Sequence, residues 1–177
     1  MADQSSVVTG RVWKFGSHIN TDLIFPNSAF RMAEAEQYKM VFKANRPGWV
    51  EQVQPGDLLI AGDDFGYGSG RPVGWLLRLC GIRGVVAESI NGLCLRNCVN
   101  AGMPAMECKG VLDLFDEGDI GRFDYANGLI DNLTQNTSLK TKPMPPLFLE
   151  MVNAGSVLDM LIREGLIEAG PEYAANS

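Results

Sequence analysis

The chain has 177 residues, of which 46% are hydrophobic and 20% are charged. This composition is typical of a single globular domain, here spanning 1–177. The net charge of −6 argues against a nucleic-acid partner, which would favour a basic face. No apolar run approaches the length of a membrane span, so no membrane partner is predicted either.

Four cysteines occur without any Cys-x-x-Cys pair, which is typical of buried free thiols in a reducing compartment. The N-terminus lacks the basic and apolar regions of a signal peptide. Together these features predict a cytoplasmic protein. Cys94 and Cys98 would share a helix face, but one pair without a second pair or a neighbouring histidine predicts no metal site. The ends, 1–6 and 170–177, are predicted to be disordered.

The first elements are a strand over 7–14 and a polar cluster at 20–22, which precedes a short apolar run. A mixed segment, 27–48, follows, with a possible helix over 33–42. We expect 27–48 to be a mobile loop of the kind that carries specificity.

Three residues that follow the turn at Pro26 are expected to face the side group of a substrate: Phe30, Arg31 and Met32. For Phe30 and Met32, packing on the domain itself is an equally good interpretation.

The most informative segment is the glycine loop, defined here as residues 63–72, in which every second residue from 66 to 70 is glycine. An apolar run at 57–61 predicts a strand before it, and Pro72 is typical of the first turn of a helix. Ser69 and Arg71 would then be exposed at a helix N-terminus, a natural place for an anion. A plain strand-to-helix turn would need fewer glycines and no arginine.

The later elements are predicted from apolar runs, with glycine, asparagine and proline at the turns. Ser89 is a candidate cap for a helix ending near Asn100, and 135–146 is expected to be a polar surface connection. Strands are expected at 82–87, 105–108, 111–115 and 129–133, and apolar helix faces at 147–152 and 157–162. The pattern is mixed α/β.

A nucleotide-binding, Rossmann-like module is one interpretation of the glycine loop. Gly66, Gly68 and the later Glu88 fit the dinucleotide fingerprint in part, but Arg71 occupies the position of its third glycine. The Gly-Lys-Ser/Thr of a phosphate-binding P-loop is also lacking.

Carboxylate chemistry is the other interpretation. Arg71 can bind a carboxylate through two parallel hydrogen bonds. Ser69 has no histidine beside it, and His18 is the only histidine in the chain. Ser69 would therefore act as a base only if cations and backbone N–H groups stabilise its alkoxide, and a cation at about 4 Å contributes roughly 4 kcal/mol at an effective dielectric near 20.

Several motifs in order along the chain are similar to those of one family. The chain resembles the small subunit of 3-isopropylmalate dehydratase, which is equivalent to the swivelling domain of aconitase. The segments that carry the resemblance are Asn20-Thr-Asp-Leu-Ile-Phe-Pro26, Ala61-Gly-Asp-Asp-Phe-Gly-Tyr-Gly-Ser-Gly-Arg71, Gly81-Ile-Arg-Gly-Val-Val-Ala-Glu-Ser89, Arg96-Asn-Cys-Val-Asn-Ala-Gly102 and Ala154-Gly-Ser-Val-Leu158.

The resemblance implies an α/β fold of the three-layer β/β/α swivelling type. It also implies a separate large subunit that holds a [4Fe–4S] cluster, with no cofactor bound by this chain. The implied reaction is the reversible dehydration of a hydroxy-dicarboxylic acid, 3-isopropylmalate or a related alkylmalate, in leucine biosynthesis.

The resemblance also implies roles for individual residues. Ser69 would be the base and Arg71 would bind a substrate carboxylate. Independently of the resemblance, the lack of side chains at Gly68 and Gly70 would let the backbone approach the substrate. Asp22 would support proton transfer at the subunit interface; capping its own turn is the alternative role.

The chain departs from the family pattern at three places. Gly70 replaces a second serine, Pro72 and Val73 replace a glutamate and a histidine, and 90–92 lacks the family's arginine. These differences leave open a paralogue with another substrate or an inactive interaction paralogue.

Overall fold

The computed structural model describes residues 6–170. Most of the ends predicted to be disordered, 1–5 and 171–177, therefore lie outside the described residues. Within the described part, the carbonyl of Ser6 accepts a hydrogen bond of 2.9 Å from the backbone N–H of Tyr125.

The described residues form a mixed sheet of seven strands in the order β4-β3-β2-β1-β5-β6-β7. β1 to β4 are parallel to one another, and β5 to β7 continue the sheet as antiparallel neighbours. The strands are β1 Val7–Lys14, β2 Leu58–Ala61, β3 Gly84–Ala87, β4 Ala105–Glu107, β5 Ile120–Asp124, β6 Leu129–Asn132 and β7 Thr137–Lys140.

Residues 6–170 also contain six α-helices and two 3₁₀ helices, of which the last two α-helices follow β7. None of these helices has the length and apolar character that crossing a membrane requires. The α-helices are α1 Thr21–Ile24, α2 Val73–Cys80, α3 Gly92–Asn100, α4 Val111–Leu114, α5 Pro146–Ala154 and α6 Val157–Arg163; the 3₁₀ helices are Asn27–Arg31 and Glu34–Met40.

Alternate residues of the parallel strands face two different cores, as the two-residue period of a strand requires. On β2, Leu59 packs in the core that contains α2 and α3, whereas Leu58 and Ile60 pack against Phe123 and Ile130 of the antiparallel strands. The sheet therefore curls so that its antiparallel half covers one face of its parallel half and helices cover the other. This is the β/β/α arrangement expected from the resemblance.

The strand predicted at 111–115 is wrong, because Val111–Leu114 is a helix. The carboxylate of Glu88 accepts hydrogen bonds of 2.8 and 3.1 Å from the backbone N–H groups of Gly110 and Leu112. Because a side chain 22 residues earlier bonds the free N–H groups at the start of this helix, the local sequence contains no capping signal that would predict it.

Three further expectations differ in detail. The cap of α3 is Asn91, which accepts from the N–H of Leu93 at 3.0 Å, and not Ser89. The helix expected over 33–42 is a 3₁₀ helix, and the expected connection at 135–146 contains the edge strand β7.

Candidate active site

The glycine loop directly follows β2 at the edge where the parallel strands end. Its backbone is bonded on both sides. The carbonyl of Tyr67 accepts from the N–H of Thr21 at 2.8 Å, and the N–H of Phe65 donates to the carbonyl of Ser89 at 3.0 Å. The loop is thus held between the segments that follow β1 and β3.

An ion pair at the start of the loop adds a third attachment. The amine of Lys109 lies 2.6 Å from the carboxylate of Asp63, which also accepts from the hydroxyl of Ser89 at 3.1 Å. The Lys109 amine, and then the Ser89 hydroxyl, hold the pKa of Asp63 below its usual value. The segment after β4 is therefore tied to the loop as well.

Two of the loop glycines are required by the backbone. Gly66 has φ +74° and Gly68 has φ +109°, in the region that side chains disfavour. A Cβ on Gly66 would clash with the sulfur of Cys94, and a Cβ on Gly68 would stand 3.0 Å from Asn20 Oδ1. These two positions let the loop lie directly on α3 and on the start of α1.

Gly70 differs from the other two glycines. It does not have a positive φ, and the only neighbour within 4 Å of an added Cβ, among the described residues, is Leu93 Cδ2 at 3.6 Å. The fold therefore leaves room for a side chain at this position.

Arg71 was expected to be exposed, and this is wrong, because only 10% of its side chain is accessible. Its Nη2 atom donates to Asp22 Oδ1 at 2.5 Å and to Asn27 Oδ1 at 2.8 Å. Its guanidinium carbon lies 5.1 Å from the centre of the Phe30 ring, and its Nε–H is buried with no hydrogen-bond partner among residues 6–170. The guanidinium is thus enclosed by α1 and the 3₁₀ helix that follows it.

Ser69 is exposed between two glycines, as expected. The ring of His18 lies instead near Asp64, with Nδ1 3.8 Å from the carboxylate. No hydrogen bond joins His18 to Ser69 in the described structure, so the site does not contain a Ser-His-Asp triad.

Asp22 does not cap its own turn. The cap of α1 is Asn20, whose Oδ1 accepts from the backbone N–H of Asp22 at 2.8 Å. The carboxylate of Asp22 is 55% exposed and pairs with Arg71. Asp22 and Arg71, 49 positions apart in the sequence, therefore belong to one site.

Of the three residues expected to face a substrate, the structure brings Phe30 to Arg71. The Phe30 ring is 51% exposed and packs edge-on against Phe25, with ring centres 4.9 Å apart. Arg31 is exposed and Met32 is half-buried.

Two polar groups of the site were missed from the sequence. Asn27 contacts Arg71 directly. The hydroxyl of Thr21 is buried without a hydrogen-bond partner in the described structure, and lies 3.0 Å from the position of a Cβ on Gly68. The position of Asn27 directly after the motif that ends at Pro26 was the only available signal.

No protein-family profile matches the chain. It is 36% identical over 160 residues to the isopropylmalate/citramalate isomerase small subunit of Methanocaldococcus jannaschii, covering 88% of this chain and 94% of that protein. It is also 36% identical over 156 residues to the 3-isopropylmalate dehydratase small subunit of Thermodesulfovibrio yellowstonii, covering 86% and 92%. The chain belongs to the family of 3-isopropylmalate dehydratase small subunits.

The fold agrees with membership of this family. The crystal structure of 3-isopropylmalate dehydratase (LeuD) from Methanocaldococcus jannaschii superimposes with a TM-score of 0.84 at 28% identity, over 92% of this chain and 97% of that one. The α/β fold expected from the resemblance is therefore confirmed.

Two of the departures from the family pattern are not forced by the fold. Gly92, where the family's arginine is missing, has no atom within 4 Å of an added Cβ among the described residues, and Gly70 is similarly open. Gly70 lies in the loop and Gly92 lies next to residue 91, which is bonded to the loop, so the chain lacks there the serine and the arginine of the family pattern.

The interpretation of the loop as a dinucleotide site needs Glu88 as its acidic residue, but Glu88 is bonded elsewhere in the structure. The carboxylate of Glu88 is bonded to the start of α4 and is not directed to a ribose.

The four cysteines do not fit a cluster site. All are buried, and among residues 6–170 no group of three or more potential ligands occurs. Burial raises the pKa of Cys80 to about 12, and it also raises the pKa of Cys108, with a smaller contribution from Glu88. A hydrogen bond with Cys94, and then burial, raises the pKa of Cys98. The raised pKa values keep the thiols of Cys80, Cys98 and Cys108 protonated, whereas a metal ligand must be a thiolate.

Proposed function

We propose that the chain is the small subunit of a two-chain hydro-lyase that dehydrates and rehydrates a hydroxy-dicarboxylic acid of the alkylmalate class, such as 3-isopropylmalate. One observation carries the proposal. The glycine loop presents an exposed serine, Ser69, two residues from an enclosed guanidinium, Arg71, which already binds a carboxylate group, that of Asp22.

Arg71 would bind a carboxylate of the substrate through two parallel hydrogen bonds. Ser69 would remove a proton from the carbon next to that carboxylate and return it to the neighbouring carbon on rehydration, so that the hydroxyl changes place. The Arg71 cation and the backbone N–H groups of the loop would stabilise the serine alkoxide. Gly68 and Gly70 would let the backbone approach the substrate, and Asp22 would support the proton transfer.

The alkyl group of the substrate would face Phe30, Arg31 and Met32. The half-exposed Phe30 ring beside Arg71 supports this arrangement. Segment 27–48 would then be the part of the chain that varies with the substrate, and we propose that it is mobile.

The partner would be a large subunit with a [4Fe–4S] cluster, whose open iron supplies Lewis-acid chemistry at the departing hydroxyl. The buried cysteines of this chain do not suit such a cluster, which supports its location on the partner. A cytoplasmic location is proposed on the same four reduced thiols.

The test is to purify the chain alone and together with the large subunit from the same source, and to follow the unsaturated intermediate by ultraviolet absorbance with 3-isopropylmalate and citramalate. We expect no turnover by the chain alone and turnover by the complex. Turnover without the partner, or a stable complex that is inactive on both acids, would contradict the proposal, and the latter result would favour an inactive interaction paralogue. Saturable binding of NAD by the chain alone would favour a nucleotide-binding module.

A further inference from the structure

The hydrogen bonds of Arg71 leave its guanidinium only partly available. Asp22 and Asn27 both accept from Nη2, at 2.5 and 2.8 Å, so both hydrogens of this nitrogen are engaged. A two-point grip on a carboxylate uses Nη2 together with either Nε or Nη1. An incoming carboxylate must therefore take the place of one of the two acceptors.

The two acceptors differ in charge and in freedom. Asp22 is a carboxylate with 55% of its side chain exposed, and it would repel a second carboxylate on the same guanidinium. Asn27 is neutral, and its NH₂ group can itself donate to a carboxylate. Asp22 is therefore the group that should leave, and Asn27 the one that should stay.

The surroundings of Arg71 favour an exchange of partners over a movement of the arginine. Its side chain is 10% exposed, with the Phe30 ring 5.1 Å from the guanidinium carbon. Its Nε–H is buried and has no hydrogen-bond partner in the described structure. A buried donor without a partner is unfavourable, and a carboxylate bound side-on would satisfy it.

We propose that a substrate carboxylate replaces Asp22 on Arg71, and that Asn27 is the positioning residue that holds the guanidinium during this exchange. This inference rests on the proposed function of the site. It adds that substrate binding itself releases the Asp22 carboxylate beside the loop, where it becomes available to the reaction. Asp22 thus competes with the substrate before it assists the substrate.

Steady-state kinetics of the complex with the large subunit test the exchange. Asp22→Asn removes the competing charge, so we expect KM to fall about three- to ten-fold while kcat also falls. A merely structural Asp22 would give an unchanged or raised KM, and that result would overturn the proposal.

Asn27 is tested in the same assay by two substitutions. We expect Asn27→Ala to raise KM about ten-fold with a smaller change in kcat, and Asn27→Asp to raise KM further, because a second carboxylate would then oppose the substrate. Asn153→Ala, at an exposed asparagine on α5, is the control and should leave KM unchanged. A KM for Asn27→Asp equal to that of the wild type would contradict the role of Asn27.

A binding experiment on the full chain alone separates this inference from the proposed function. The ¹⁵N-labelled chain is titrated with malate, and the Nε–Hε signal of Arg71 is identified by its loss in Arg71→Lys. We expect the signal to shift, with half-saturation at a lower malate concentration in Asp22→Asn. A signal that does not move up to 50-fold excess malate overturns the exchange, whereas a shift without turnover by the complex overturns only the proposed function.

Discussion

Gly68 and Thr21 are in such close contact that a Cβ on Gly68 would stand 3.0 Å from the Thr21 hydroxyl oxygen. The backbone of Gly68 also has φ +109°. We therefore expect Gly68→Ala to lower the free energy of unfolding by about 1–3 kcal/mol and to impair both kcat and KM of the complex. Denaturant unfolding of the chain and kinetics of the complex measure the two effects.

Gly70 provides the matched control for Gly68, because it has no positive φ and has room for a side chain. Gly70→Ser, which restores the serine of the family pattern, should change the free energy of unfolding by no more than about 0.5 kcal/mol. The added hydroxyl should lower KM for the dicarboxylate. A loss of stability as large as that of Gly68→Ala would show that the loop is tight along its whole length.

Ser69→Ala tests the base. Because Ser69 is exposed, the melting temperature should not change. Positioned proton transfer contributes about 10²–10⁴-fold, so kcat of the complex should fall by that factor while substrate still binds. A near-normal kcat would reduce Ser69 to a turn residue.

Arg71→Lys tests the proposal that the guanidinium of Arg71 binds a substrate carboxylate. Lysine keeps the charge but loses the planar pair of donors, so KM should rise. Since the arginine side chain is 10% exposed and bonds to Asp22 and Asn27, the substitution should also cost about 1–2 kcal/mol of unfolding free energy. Circular dichroism during denaturation measures this loss, and a variant with unchanged stability and unchanged KM would contradict the geometry of the site.

We expect Asp57 to contribute to the pH dependence of the free energy of unfolding. Asp57 is a buried carboxylate just before β2, at the end opposite the glycine loop. Burial alone would raise its pKa, but hydrogen bonds from Arg11, the Gln54 N–H and the Trp13 indole outweigh burial and hold the pKa below its usual value. A lowered folded-state pKa stabilises the protein above the unfolded value, which is near 3.8, and this stabilisation is lost as the pH falls through the folded value.

Asp57→Asn should therefore lower the unfolding free energy by about 2 kcal/mol at pH 7, and the difference from the wild type should shrink below about pH 4. Urea denaturation of both proteins at pH 7 and pH 3 measures this difference in unfolding free energy. Asp113→Asn, at an exposed aspartate, is the control and should show little change at either pH.

The cysteines should be unreactive in the folded chain. Burial raises the pKa of Cys80 to about 12, so its thiol stays protonated at the pH of ordinary labelling. With a chromogenic disulfide reagent at pH 8, we expect little reaction before unfolding and four equivalents after it. Rapid labelling of the native chain would show that at least one thiol is accessible.

Local sequence patterns predicted the elements around the site. The apolar run before the loop is β2, and Pro72 lies at the start of α2. The expectations failed where a distant contact decides. Glu88 caps α4 across 22 residues, and Asn27 reaches Arg71 across 44.

The burial of Arg71 also depends on a distant contact that the local sequence did not predict. A glycine loop with a following proline gives no indication that a ring 41 positions earlier will lie against the guanidinium of Arg71. Phe30 was expected to face a substrate because it follows the turn at Pro26, but nothing in the sequence indicated that its ring would cover Arg71.

The backbone hydrogen bonds on both sides of the glycine loop affect how a ligand can reach it. Through the bridges between Asn20 and Tyr67 and between Phe65 and Ile90, the loop extends the sheet beyond its strands. Its conformation is fixed when the chain folds, so ligand binding does not bear the entropy of ordering it. A loop held in this way cannot serve as its own lid. In the proposed enzyme, access to Ser69 would therefore be controlled by other parts of the complex, such as segment 27–48 or the partner chain.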